Sequence, residues 1–403
     1  MRILISGASI AGPVLAYWLT RYGFDVTVVE RAPQLRKTGG HAVDLFRPAM
    51  EITKKMGVLP HVEALATGTT QLTIHREGSQ RASQVDVTKL VAVTSDRHVE
   101  VMRDDLSEVY YSAGRDDVEY LFGDSITAIS PDGDVTFERA APCRFDVVVG
   151  ADGLHSNVRR LVFGEHAART QYLGGYLAVL SVPKTLARDG ASVTHIGVGR
   201  LAMAYTAQPL DDARAAFMFR SKDELHYHYR DVPRQKELLG DAVAGMHPQV
   251  DRWLEEIDRT PAFYFDSITQ LQMDTWSRGR VTLVGDAGYC PGPAVGGSTS
   301  LAVFGAYVLA GELAQAGGDF ARAFAAYERQ MAEPVLRSRA FARTMAKRWV
   351  PGSTAGVWAL TRGAQLISVL PSGLSRAIAK QNAKGVRPFD AMHVKEYGTP
   401  VAG

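Results

Sequence analysis

The stretch that most constrains this chain is residues 2–30, RILISGASIAGPVLAYWLTRYGFDVTVVE, which reads as a strand, a tight glycine turn, a helix and a second strand. Residues 2–6 form a short apolar run that stops at Gly7, after which Val14, Leu15, Trp18, Leu19 and Tyr22 recur at helical spacing until Gly23. The following run is β-branched and closes on Glu30. Such a unit binds a dinucleotide when one glycine makes the turn, a second lets backbone approach a pyrophosphate and a third lets the helix pack on the strand. An acid about 20 residues on then takes the ribose hydroxyls. Gly7, Gly12 and Glu30 supply three of these four groups. Ser9 stands at the second glycine, small enough to keep the approach open and able to offer a hydroxyl to phosphate. Pro13 falls in the first helical turn, where a missing N–H costs nothing, so the remaining amides and the helix dipole face an anion.

The chain has 403 residues, enough for two or three domains around large cores. A formal net charge of +2 gives no general argument for a nucleic-acid partner. The two cysteines, Cys143 and Cys290, form neither a disulfide framework nor a metal-ligand spacing, which suits a reducing cytoplasm and sets the expected localisation there. The N-terminal apolar run continues directly into the βαβ pattern and reads as core, not as a leader. No apolar run approaches the ~18 residues of a membrane span, so none is expected.

Farther along, paired glycines open a loop at 39–40 before His41-Ala42-Val43-Asp44-Leu45. Residues 72–93 hold alternating segments around Gly78, expected to leave the first domain and help cover a second sheet. Residues 101–113 have helical spacing, with Arg103 at the start, where an arginine can pair with phosphate. A continuous β-branched run at 145–150 predicts a strand of a parallel sheet, and it ends in Asp152-Gly153, where open α/β sheets bind ligands. Residues 166–273 change to long alternating segments at 172–182, 195–207 and 214–220, which predict a mostly antiparallel sheet. In the last of these, Arg214, Ala216, Met218 and Arg220 share one face and Ala215, Phe217 and Phe219 the other, so the arginine face is a candidate pocket border. His226 and His228 share one face of an expected strand, but without a third ligand they carry no metal expectation. Residues 235–254 are expected to be helical. A third informative stretch, 280–313, joins a buried strand to Gly285-Asp286, a loop rich in glycine and proline, and a nearly all-apolar helix. Residues 319–331 predict an amphipathic helix, and Pro334 is expected to open another that carries Arg337, Arg339, Arg343, Lys347 and Arg348. That basic run reads as a solvated face, because no aromatic platform interleaves it. An apolar segment between Pro351 and Pro371 looks like a docking helix, followed by an irregular tail.

The three separated segments together resemble the single-component, FAD-dependent aromatic hydroxylases of the p-hydroxybenzoate hydroxylase type, over about residues 1 to 345 and in the required order. Within that group the chain is most similar to the tetracycline destructase-like branch. The similarity lies in AYWLTRYGFDVTVVE at 16–30, GGHAVDLF at 39–46, MFRSK at 218–222, FYFDSITQLQMDTWSRGR at 263–280 and AYVLAGEL at 306–313. The implied fold is α/β: a Rossmann-like FAD-binding domain with a mixed parallel sheet, an antiparallel-sheet substrate domain and C-terminal helices. Residues 1–70, 97–165 and 273–345 would form the FAD-binding domain, 71–96 and 166–272 the substrate domain, and 346–403 a C-terminal helix and tail.

The resemblance implies that Gly7, Ser9 and Gly12 border the FAD pyrophosphate, that Glu30 holds the adenosine ribose and that Arg31 lies against the adenine. Arg103 would reach the flavin or its phosphates, and Asp152 and Gly153 would serve both FAD and the nicotinamide cofactor. Asp286 would hold the ribityl chain, with Pro293 and Gly296 near the isoalloxazine. Arg214 and Arg220 are the candidates on the substrate side, with His41 and Asp44 near the flavin edge. The implied reaction is reduction of FAD by NADH or NADPH, reaction with dioxygen, and transfer of one oxygen to a polycyclic or phenolic small molecule, by hydroxylation or Baeyer–Villiger insertion. An antibiotic such as a tetracycline, or a polyketide intermediate, fits that class, and the protein would work as a monomer or homodimer. The sequence departs from the family pattern at Tyr289 for histidine, Ser298 for glycine, Ser300 for asparagine and Gly305 for aspartate. The serines bear on the oxygen chemistry more than on FAD binding, and keep open an alternative in which FAD is structural and a non-redox reaction such as a cyclisation is catalysed.

Overall fold

The computed structural model describes residues 1–35, 40–89, 97–207, 210–293, 297–369 and 392–398. The first unit is strand Arg2–Ser6, helix Ala11–Arg21 and strand Asp25–Glu30. Its first strand is central to a six-stranded sheet in the order Ser277–Arg278, Val281–Leu283, Val147–Gly150, Arg2–Ser6, Asp25–Glu30, Glu119–Phe122. All neighbours are parallel except the terminal Ser277–Arg278 hairpin. Ile3, Leu4, Ile5, Val147, Val148 and Val149 are fully buried, as strands covered on both faces must be. One cover is the apolar helix Ser298–Gln315, which packs on Ala11–Arg21, with the Tyr307 ring edge-on to Trp18 at 4.9 Å.

The second sheet has seven strands in the order Phe263–Gln272, Arg169–Pro183, Asp212–Arg220, Arg200–Tyr205, Ala191–Gly197, Gln71–Arg76, Ala82–Asp86. It is antiparallel except where Ala191–Gly197 runs parallel to Gln71–Arg76. The two-residue period sorts Asp212–Arg220 between cores: Ala213, Ala215, Phe217 and Phe219 pack with Trp253, and Ala216 and Met218 with Leu177 and Ile268. A ribbon of Ala42–Phe46 and His98–Met102 joins the two units. Val43, Leu45, Val99 and Val101 enter the core of the parallel sheet, and Met102 enters that of the seven-stranded sheet.

Several expected elements shift, each for a physical reason. The helix expected from residue 101 is Arg103–Ser112, because Val101 and Met102 extend the ribbon. The segment 195–207 is a hairpin, broken at Gly199, whose φ is +73°. The helical stretch 235–254 divides into Val232–Val243 and Pro248–Leu254, since Gly245 has φ +68° and Pro248 opens the second piece. Residues 226–228 form no strand. Pro334 opens no helix but lies inside one continuous helix, Phe320–Trp349. A proline there loses one backbone bond, and burial of Met331, Val335, Ser338 and Ala342 on one face holds the helix through it. The Thr354–Val369 helix follows, and residues 392–398 return to the Ser298–Gln315 helix, burying Met392, Val394 and Tyr397. No described helix is long and apolar enough to cross a membrane.

Candidate FAD and substrate site

Strand register brings the three informative segments together. Ser6 pairs with Gly150, and Gly150 with Leu283, so the chain leaves three adjacent parallel strands at one sheet edge, toward Gly7, Asp152 and Asp286. Gly7 has φ +108°, and a Cβ there would lie 2.6 Å from the Ala151 carbonyl oxygen. A Cβ at Gly12 would lie 1.9 Å from the Gly7 oxygen, so only glycine lets the helix close on the turn. The Glu30 carboxylate accepts from the amides of Ala8 at 2.9 Å and Ala32 at 2.8 Å. A carboxylate offers about four acceptor positions, so ribose hydroxyls can still be taken. Arg31 beside it is exposed.

No side chain caps the first turn of Ala11–Arg21. Arg103 Nη2 donates to Ser9 Oγ at 3.0 Å, which sets a guanidinium beside the uncapped helix end. Free amides, a helix dipole and a fixed cation are what a pyrophosphate requires. Asp286 is half-buried, and desolvation pushes its pKa up, while the Cys290 thiol donating to it and the charge of Arg103 oppose that shift. Arg103 thus touches the first segment, and its charge acts on the third. Pro293 is half-buried at the loop that follows; Gly296 lies outside the described residues. Gly297, with φ +88°, begins Ser298–Gln315, whose N-terminus also has no side-chain cap.

The middle segment is built differently. Asp152 accepts from Ser156 Oγ at 2.5 Å and from the amides of Asn157 at 2.8 Å and Val158 at 3.1 Å, and so holds the start of helix Asn157–Phe163. Arg159 donates to the carbonyls of Ala287 at 2.7 Å and Leu154 at 2.6 Å, tying this segment to the Asp286 segment. Gly153 has φ +80° with open space about it.

His41 lies beside Arg103, with its ring 5.7 Å from that of Tyr264. Burial, with the nearby guanidinium, pushes its pKa down to about 4, so it is neutral at pH 7. Asp44 is the register partner of Glu100 and lies 3.4 Å from His98 Nε2. The Asp44 side chain keeps 40% of its surface exposed, and partial desolvation raises its pKa; desolvation followed by the charge of Asp44 raises Glu100. Glu100 has no motif around it, and only strand register reveals it. Arg214 is 3% exposed and donates through Nε to the Gly40 carbonyl at 3.0 Å, with Asp212 2.6 Å from Nη1. Arg220 does not join it: six residues along an extended strand separate the two by roughly 20 Å. Arg220 is exposed and donates to the Val350 carbonyl at 3.3 Å. A shared face puts side chains on one side of a sheet, not at one place on it.

Two departures from the family pattern have structural partners. A Cβ at Gly305 would lie 2.0 Å from the Tyr289 hydroxyl, so tyrosine at 289 occupies the space of a side chain at 305. Ser300 Oγ accepts from Phe46 N at 2.9 Å and donates to the Asp44 carbonyl at 3.2 Å, using both hydrogen-bonding roles of a hydroxyl to tie the Ser298–Gln315 helix to the ribbon.

The FAD binding domain family matches residues 1–332. An uncharacterised protein of Mycobacterium tuberculosis is 44% identical over 334 residues, covering 81% of this chain and 88% of that protein. A flavin-dependent monooxygenase of Legionella longbeachae is 34% identical over 334 residues, covering 81% of this chain and 84% of that protein. Among solved structures, the tetracycline destructase Tet(55) superposes with a TM-score of 0.82 at 32% identity, covering 98% of both chains. Tet(51) gives 0.81 at 30% identity, covering 98% of this chain and 99% of the other. The chain belongs to the FAD-dependent aromatic hydroxylases, a family of flavin-dependent monooxygenases, and within it to the tetracycline destructase-like branch.

Proposed function

We propose that this protein uses NADPH or NADH and dioxygen to hydroxylate, or insert oxygen into, a polycyclic or phenolic small molecule of the kind that includes tetracyclines and polyketide intermediates. The observation that carries this reading is the in-register exit of three loops at one sheet edge, with the Arg103 guanidinium bonded to Ser9 beside the uncapped helix end. The relatives' activity and the neighbours' name, tetracycline destructase, support the substrate class.

Bound FAD supplies the electron and oxygen-transfer chemistry. In this assignment Glu30 holds the adenosine ribose, Arg31 lies at the adenine, and Gly7, Ser9 and Gly12 with Arg103 receive the pyrophosphate. Asp286 would hold the ribityl chain, with Pro293 at the loop that follows; Gly296 is assigned to the isoalloxazine from the family pattern alone. Asp152 and Gly153 keep the neighbouring loop in place and open. Neutral His41 adds no second cation beside Arg103. Asp44, partly exposed and opposite Glu100 in the ribbon, is the group to take a phenolic proton from substrate, which makes the ring carbon more nucleophilic. Leu177, Met203 and Met218 give the facing sheet an apolar surface that excludes water. Residues 71–96 and 166–272 then act as the substrate domain, and the segments around them as the FAD domain.

The test is oxygen and NAD(P)H consumption by FAD-loaded protein against phenols and polycyclic aromatics, tetracyclines included. Substrate-dependent consumption with a product one oxygen heavier is expected. Turnover of a ligand without oxygen uptake would replace this reading with a structural role for FAD.

A further inference from the structure

We propose that Arg214 is a positioning residue that holds the Gly40–Ala42 backbone to the substrate-side sheet, so that one buried guanidinium sets the loop bordering the flavin. This rests on the function proposed above for the placement of the flavin, and the grip itself is read from the geometry.

Four backbone groups of that loop are each held. Gly40 N donates to Asp104 Oδ2 at 2.6 Å, and the His41 carbonyl accepts from Arg103 N at 3.0 Å. Both partners open the helix Arg103–Ser112, on the FAD side. The Gly40 carbonyl accepts from Arg214 Nε at 3.0 Å, and Ala42 N donates to Tyr205 Oη at 3.0 Å. Tyr205 and Arg214 are direct register partners in adjacent antiparallel strands, so the sheet reaches the loop with two neighbouring side chains. A Cβ at Gly40 would lie 2.5 Å from the Asp104 carboxylate, so any larger residue there would push that carboxylate away from the Gly40 amide.

A guanidinium is the group suited to this work. Buried to 3% exposure, it needs an anion, and Asp212 supplies one at 2.6 Å from Nη1 while Nε remains for Gly40. Lysine has a single nitrogen with no planar fork, so it cannot serve the Gly40 carbonyl and Asp212 in the same geometry. The strand Asp212–Arg220 is thereby tied to the loop that also holds His41. Arg214 acts on the reaction through this backbone and touches no reacting atom.

The experiment compares Arg214→Lys and the charge-neutral pair Arg214→Met with Asp212→Asn, each as FAD-loaded full-length protein, with Arg234→Gln, on the exposed side of the Val232–Val243 helix, as the distant control. Bound-flavin absorption and fluorescence are read first, without turnover. Both variants are expected to keep FAD but shift its visible spectrum, whereas Arg234→Gln leaves it unchanged. In turnover, kcat for product falls on the order of 10- to 100-fold, as for a small misplacement of reacting groups, while KM moves less than about threefold. NAD(P)H oxidation uncoupled from product rises in the same variants. An unchanged spectrum with unchanged coupling in the neutral pair would overturn the proposal. So would a rise in KM with kcat intact, which would make Arg214 a substrate-binding group. If the wild-type protein has no monooxygenase activity, the functional reading fails, while the spectral shift still decides the positioning claim.

Discussion

Tyr289 and Gly305 are best understood as one change in two places. Tyr289 is fully buried, with its hydroxyl 2.9 Å from that of Tyr327, which donates to the Leu283 carbonyl. Gly305→Ala is expected to cost about 1–3 kcal/mol by overpacking, and Tyr289→Phe about 1 kcal/mol for the lost hydrogen bond. The double variant should cost clearly less than the sum, because removing the hydroxyl leaves contacts of 3.2 Å around the new methyl. Urea unfolding of the four proteins measures the coupling, and strict additivity would contradict it. His195 makes a second prediction at this scale. Burial pushes it from 6.5 down to about 4, and its Nε2 lies 3.0 Å from Gln249 Oε1. Its folded pKa lies below the unfolded one, so the unfolded chain binds more protons between those values. Stability from this group is full above pH 6.5 and is lost as pH falls toward 4. His41 adds a loss of the same sign. Asp44, pushed up to about 6, contributes with the opposite sign over the same window, so the histidine share is read as a difference: in thermal unfolding His195→Gln should lose less stability than the unaltered protein as pH falls from 6.5 to 4.

At the scale of elements, what could be read in the sequence was what is local. Gly7, Gly12 and Glu30 lie within one βαβ unit, and the steric reasons for the glycines recur in the structure as contacts with Ala151 and Gly7. The alternation in 214–220 sorted the two faces correctly. What was hidden depends on distant partners. Ser300 contacts a strand 254 residues away, and the Tyr205–Arg214 pair exists only in register. Pro334 misled because local propensity marks a helix start, whereas tertiary burial carries Phe320–Trp349 through it. The middle loop offers a direct check. Asp152 receives three hydrogen bonds at the start of Asn157–Phe163, so Asp152→Ala should lower stability by about 1–2 kcal/mol. Chemical denaturation measures this, and an unchanged midpoint would contradict the capping role.

For the whole molecule, the segment 392–398 links the far end of the chain to the FAD-binding core. Glu312 is buried in an otherwise apolar helix and is met by Lys395 Nζ at 2.8 Å, Tyr397 Oη at 3.0 Å and Gln330. Tyr397 packs where Gly311 leaves room, since a Cβ there would lie 2.3 Å from its ring. Lys395→Met removes the cation while Tyr397 still covers Glu312, and is expected to cost on the order of 3 kcal/mol, with weaker FAD retention. Adding Glu312→Gln to Lys395→Met should recover part of that loss, because an amide needs no cation. Calorimetry and FAD titration read both effects.

Flavin-dependent oxygen transfer by this architecture, as proposed above, requires that the oxygen added to the product come from dioxygen. Its most direct test is to reduce the bound FAD photochemically, without nicotinamide, and mix the protein with heavy-isotope dioxygen in the presence of a polycyclic phenol such as a tetracycline. One heavy oxygen atom in the product is the expected result. Reoxidation of the flavin with unlabelled product, or with no product from any accepted ligand, would contradict oxygen transfer by this protein.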